Sequence, residues 1–174
     1  MLESSIDIHI PGLDSAVEPW RIRTVEVAAL GVPPHITVLW PWRKAPVTSQ
    51  DLTDLARVLK GIKPFQIVLD RLELFPNGTI YLAPQDGAAV RNATKAIAEV
   101  FPDCPPYRGG FLDPMPHVTV AKASNEEQKM QFLLELRAVL LPLLPMMFIV
   151  KELVVMEQRE DMHWEIRTTL TLGR

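Results

Sequence analysis

The chain has 174 residues, 18 of them basic and 21 acidic, for a net charge of −3; this suits one domain and disfavours a long basic track along duplex nucleic acid. Its one cysteine, Cys104, excludes an internal disulfide framework and any cysteine-built zinc site. The 16 prolines do not cluster into a linker, although about 9% is nearly twice the usual share of roughly 5%.

In chain order, Ile6, Ile8 and Ile10 alternate with Asp7 and His9, which predicts a strand ending at Pro11-Gly12. Gly31-Val32-Pro33-Pro34 leads into a second strand, His35 to Trp40, closed by Pro41. Leu52, Leu55, Ala56 and Leu59 predict an amphipathic helix over about 50–60, with Thr48 or Ser49 as N-cap and Gly61 past its end. Phe65–Phe75 and Thr79–Ala83 form a hairpin through Pro76-Asn77-Gly78, because Asn-Gly tolerates positive φ. A second helix carries Val90, Ala93, Ile97 and Val100 on one stripe, with Asp86 as its cap. A loop with five prolines, 101–116, precedes a short strand from His117 to Ala121. Ser124 and Glu127 have capping-box spacing and open a helix to about Leu141. Met147–Gln158 and Met162–Leu172 are two final strands joined by Arg159-Glu160-Asp161; on the last, Trp164, Ile166, Leu170 and Leu172 share one face. Hairpins mixed with helices, without strict βαβ alternation, predict an α+β fold with mainly antiparallel sheets and no dinucleotide-binding unit.

One short repeat carries the chemistry. Pro34-His35-Ile36-Thr37-Val38 recurs as Pro116-His117-Val118-Thr119-Val120, 82 residues later. On a strand, His35 and Thr37 share one face while Ile36 and Val38 enter the core, and the second copy does the same. Core packing accounts for the aliphatic positions but not for a repeated His and Thr on the other face. If the two strands face one cleft, two imidazoles and two hydroxyls converge on one small volume. One imidazole can then take a proton from an attacking oxygen while the other gives one to the leaving oxygen, roles that suit pKa values near neutrality. The hydroxyls can hold non-bridging phosphate oxygens, and an imidazolium offsets developing charge.

Paired H-x-T motifs at this separation resemble those of the 2H phosphoesterase superfamily, which includes RNA 2′,3′-cyclic phosphodiesterases and 2′-5′ RNA ligase-like proteins. Gly31–Pro41 is similar to that family's first motif region. Pro106-Tyr107-Arg108-Gly109-Gly110-Phe111 is similar to the loop before the second motif in the bacterial branch, and Trp20-Arg21 also looks family-like. The resemblance covers most of the chain in layout, with its specific residues in two short segments. It implies a single domain over 1–174, bilobal and pseudo-two-fold, with two mainly antiparallel sheets facing a central cleft and helices outside. It implies His35 and His117 as the catalytic pair and Thr37 and Thr119 as phosphate binders. Tyr107 and Phe111 become candidates for shaping the cleft or stacking a base, and Arg43 and Arg108 for phosphate contacts. The expected substrate is an RNA 3′ end or small nucleotide bearing a 2′,3′-cyclic phosphate, hydrolysed or, in reverse, ligated. ADP-ribose 1″,2″-cyclic phosphate, 2′-5′ oligoadenylate and a purely RNA-binding role are the alternatives.

Neither H-E-x-x-H nor a Cys/His cluster is present, so no metal and no cofactor are expected. His9 and His163 read as polar-face residues, Trp40 and Trp42 as packed inward, and Cys104 as incidental. Glu3 and Asp7 stand where a signal peptide would carry positive charge and an apolar core, and the longest uncharged run, 138–150, is too short to span a bilayer. These features lead to the expectation of a cytoplasmic protein without a membrane partner or an obligate protein partner, monomeric by default.

Overall fold

The structure, a computed structural model, describes residues 2–111 and 113–173. In chain order the elements are β1 (Ser4–His9), α1 (Asp14–Thr24), α2 (Glu26–Ala29), β2 (His35–Leu39), α3 (Ser49–Leu59), β3 (Phe65–Leu74), β4 (Thr79–Pro84), α4 (Ala88–Val100), β5 (Val118–Lys122), α5 (Glu126–Leu140), β6 (Met146–Val150), β7 (Glu152–Gln158) and β8 (Trp164–Thr171). Local chemistry explains several of them. Thr48 caps α3 by accepting from Asp51 N at 3.1 Å, and Leu55 and Leu59 are fully buried. Gly78 turns the β3–β4 hairpin at φ +88°, where a Cβ would also overlap the Ala123 carbonyl oxygen. Asp86 precedes the α4 cap residue, Gly87, and accepts the Ala88 N–H.

All eight strands pair antiparallel in one sheet, in the order β6-β3-β4-β5-β2-β1-β7-β8. The fold class is α+β as expected, but the two anticipated sheets are joined into one through the single pair Ile36↔Val118 between β2 and β5. Each side of that seam holds four strands with a motif strand innermost. A helix from the segment leading to each motif strand packs on the other side's motif strand: α1, which precedes α2 and β2, on β5, and α4, which precedes β5, on β2. Arg21 of α1 reaches the Thr119 carbonyl, and Thr94 of α4 reaches the Val38 carbonyl.

The segment 147–158 is not one strand. It breaks at Lys151 into β6 and β7, which lie six places apart in the sheet order. Six flat steps would cover roughly 28 Å, far more than one residue can span, so the sheet must curl on itself. Accordingly, Phe148 and Val150 of β6 line the same cavity as Ile8 and His9 of β1.

Three further differences are local. Helix α1 was not anticipated: Pro19 lies inside it, and its buried positions are Val17 and Arg21, so no apolar stripe announces it. The α5 cap is Asn125, which accepts from Gln128 N, while Gln128 Oε1 accepts from Ser124 N. The capping pair is thus displaced by one residue from Ser124 and Glu127. Val100 and Ile166 are exposed; at Ile166 the cause is a register shift in the β7–β8 pairing.

Candidate active site

The seam between β2 and β5 creates the site. Ile36 and Val118 are direct antiparallel partners, and both are fully buried in the core. Alternation then sets His35 opposite Thr119 and Thr37 opposite His117 on the other face. Opposed Cβ atoms lie about 5 Å apart, and the diagonal between the two histidines is about 7–8 Å. The two motifs therefore form a two-fold quartet about the Ile36–Val118 pair.

Both imidazoles are held the same way. His35 Nδ1 lies 2.8 Å from the Pro33 carbonyl oxygen, and His117 Nδ1 lies 2.8 Å from that of Met115. A carbonyl can only accept, so each Nδ1 carries a hydrogen and each neutral ring keeps a lone pair on Nε2. Burial pushes the His35 pKa down to about 4, with the Arg21 charge adding to the effect. Burial also lowers that of His117, and the nearby His35 adds to that effect.

Their surroundings differ. Beside β2, the register of β1 places His9 next to His35 and Asp7 next to Thr37. Beside β5, Tyr81 of β4 pairs with Thr119. The rings of Phe75 and Tyr81 stack at 4.0 Å and meet the His117 ring edge-on at 5.1 and 5.4 Å. His117 and Thr119 open into a cavity of about 800 Å³ that is also lined by Phe75, Tyr107, Phe111 and Lys122. Thr37 lines a neighbouring cavity of about 350 Å³ with Arg91, Asn92, Lys95 and Tyr107. Tyr107 forms part of both walls.

The structure therefore brings together His35, Thr37, His117, Thr119, Tyr107 and Phe111. Arg43 does not join them: its guanidinium hydrogen-bonds Asp51 and Asp103 and stacks over Phe101. Arg108 pairs with Glu3 and lies 5.0 Å over the Trp40 ring. His163 is exposed in the β7–β8 turn, whereas His9 sits on the site face beside His35. Trp42 packs inward, but Trp40 does not. It is half-buried with Val32, Val154, Met156 and Trp164, and meets Tyr107 edge-on at 6.2 Å.

Sequence reasoning missed Asp7, Tyr81, Phe75, Lys122 and Arg21. For Lys122 the cause is a bulge. Strict alternation puts it on the core side of β5, but the pairing jumps from Thr119 to Ala121, leaving Val120 unpaired and turning Lys122 toward the cavity. An equivalent jump leaves Val38 unpaired in β2 and turns Trp40 out of the core. Arg21 is completely buried and donates to the Thr119 and Val32 carbonyls at 2.6 and 2.7 Å, tying the second motif strand to the approach to the first. Among the described residues, no group of three or more His, Cys, Asp or Glu side chains is arranged to hold a metal ion. Nor is any helix there long and apolar enough to cross a membrane.

Comparison with known proteins places this arrangement. No curated protein matches the chain by sequence. Escherichia coli LigT in its apo form superposes over 99% of this chain and 98% of its own, with TM-score 0.59 and 15% identity. A Thermus thermophilus protein matches over 100% of both chains at TM-score 0.56 and 16% identity. A structure described as a phosphoesterase does so over 100% of both at TM-score 0.57 and 12% identity. At these identities the likeness concerns the fold. A sequence profile of the 2′-5′ RNA ligase superfamily matches residues 11–162, including both H-x-T strands. With most of the chain inside that match, this protein belongs to the 2′-5′ RNA ligase superfamily of two-histidine (2H) phosphoesterases.

Proposed function

We propose that the protein is a phosphodiesterase that opens 2′,3′-cyclic phosphates at RNA ends or on nucleotides, using His35 and His117 as an acid–base pair without a metal. The observation that carries this reading is the two-fold quartet. The two histidines stand on a cross-strand diagonal of about 7–8 Å between Cβ atoms, a span that suits one phosphate between the rings, and two hydroxyls complete the square. Hydrolysis needs a proton taken from water on one side of phosphorus and a proton given to the ribose oxygen on the other. Two imidazoles facing the same phosphate meet both needs. Thr37 and Thr119 donate to the non-bridging oxygens, and Lys122, whose ammonium donates to the Asn77 carbonyl and the Thr79 hydroxyl, lies on the wall of the cavity that holds Thr119.

The cavity of about 800 Å³ next to His117 is within the range that accepts a small ligand. Tyr107 and Phe111 offer aromatic faces to a base there. Family membership supports the reaction class, and the similarly folded E. coli LigT has been crystallised with 3′-AMP and with phosphate.

The test is turnover of a 2′,3′-cyclic mononucleotide in EDTA by the wild type, His35→Ala and His117→Ala. Each single variant is expected to lose about 10²–10⁴-fold in kcat. Full activity in either variant would overturn the two-histidine mechanism. Loss of wild-type activity in EDTA would overturn its metal-free character.

A further inference from the structure

Asp7 is 1% exposed, yet it is only half partnered. Ser5 Oγ donates to its Oδ2 at 2.5 Å, while its Oδ1 has no hydrogen-bond partner and lies 3.8 Å from His35 Nε2. No lysine or arginine pairs with it among the described residues, and the nearby Arg21 is committed to two backbone carbonyls. Because His35 Nδ1 donates to Pro33, the neutral ring turns a lone pair toward that carboxylate. An ionised Asp7 and a neutral His35 thus present two bare acceptors to each other in a buried site. A single proton on either one removes the conflict.

We propose that Asp7 is a proton-holding partner of His35. The two side chains keep one proton between them, and His35 is the histidine that delivers it to the departing ribose oxygen while His117 accepts the proton of the attacking water. The inference rests on the phosphodiesterase reading above and assigns the two histidines their separate roles.

The asymmetry of the site supports the assignment. No carboxylate pairs with His117 among the described residues; it is packed against Phe75 and Tyr81 and faces the open cavity, from which water can enter. On the other side, burial drives the Asp7 carboxyl up to about 7 and the His35 imidazole down to about 4. Burial thus favours the neutral form of each group, so without substrate a proton shared by the pair favours the carboxyl. A bound phosphate anion draws it onto the imidazole. The groups facing the pair are Ser5 and His9 on β1, Thr37 on β2, Arg21 on α1, Tyr107 from the 101–116 loop and His117 across the seam.

In the ring-opening step, the water oxygen bonds to phosphorus and the P–O bond to ribose breaks. The water's proton goes to His117 Nε2, and the leaving oxygen takes the proton from His35 Nε2, leaving Asp7 ionised and His35 neutral. The pair then regains one proton from solvent, and His117 releases one.

Two measurements on the full chain test this: histidine ring NMR titrations, with and without inorganic phosphate, and pH profiles of kcat for a 2′,3′-cyclic mononucleotide. Wild type, Asp7→Asn and Ser5→Ala are compared. In the wild type the His35 resonances should show an inflection near neutrality that disappears in Asp7→Asn. Without the carboxylate the imidazolium loses its stabilising charge, so the alkaline limb of kcat should move down by about one pH unit or more, with KM changed less than about threefold. Ser5→Ala removes a hydrogen bond that favours the ionised carboxylate, so the same limb should move up. A merely structural Asp7 would not give shifts of opposite sign. Superimposable His35 titrations, or an unmoved alkaline limb in both variants, would overturn the proposal. Movement of the acid limb alone would overturn the donor role. If Asp7→Asn does not fold, Ser5→Ala decides. If the wild type turns over no cyclic phosphate, the proposed function fails, while the titrations still decide whether the pair shares a proton.

Discussion

Each motif imidazole is oriented through a proline. Proline at i−1 holds the residue before it in extended backbone, and that residue, Pro33 or Met115, supplies the carbonyl that receives Nδ1–H. The proline excess thus has a use at the candidate site. Asp7 and His35 should also leave opposite marks on stability. The Asp7 carboxyl binds its proton more tightly folded, at about 7, than unfolded, near 3.9. Its stabilising contribution is full below about pH 4 and is lost as pH rises to about 7. His35 is depressed from 6.5 to about 4, so its contribution is missing at low pH and returns as pH rises toward 6.5. In the wild type the two slopes oppose each other over about pH 4–6.5. In Asp7→Asn only the His35 slope remains, and stability should climb over that range. At pH 8 the variant no longer buries an ionised carboxylate and should exceed the wild type by roughly 2–4 kcal/mol. Urea unfolding at pH 4.5, 6 and 8 measures this; a difference independent of pH would contradict it.

Among the elements, the motif strands and the helices α3 and α4 were legible because their cues are local: strict alternation, or an apolar stripe with a cap. Helix α1 was not, since a buried arginine stands where the stripe should continue. Its Arg21 makes sense only once Val32 and Thr119 are beside it. The bulges at Val38 and Val120 were equally hidden, because an unpaired residue is defined by the partner strand and not by its own identity. The hairpin at Asn77-Gly78 was read from two residues, and it offers a direct check. Gly78→Ala should cost at least about 1–2 kcal/mol, since it combines positive φ with overlap against the Ala123 carbonyl. Thermal unfolding would show this; an unchanged midpoint would mean that the turn relaxes freely.

Across the whole molecule, two four-strand halves meet at a single residue pair, yet each half's helix packs on the other half's motif strand. Neither half can bury its motif strand alone. We therefore expect one cooperative unfolding transition. Trp40 and Trp164 pack together in the β2–β1–β7–β8 half, whereas Trp20 is on α1, which packs on β5, and it hydrogen-bonds Glu135 of α5; far-UV circular dichroism reports on all the elements. Coincident urea curves by the two signals are the expected result, and separated midpoints would show that the halves unfold independently.

By itself the sequence determined the two H-x-T strands, which of their faces carries the His and Thr side chains, the antiparallel α+β character and the family resemblance. These follow from side-chain alternation and from a repeat, both readable along the chain. Only the tertiary structure decided that the strands join in one curled sheet, that Thr37 lies opposite His117, that Lys122 faces the cavity, and that Asp7 meets His35. Each of these depends on register between strands distant in sequence. A shift of one residue in that register exchanges the faces of a strand, and the groups that set the register lie on its neighbours.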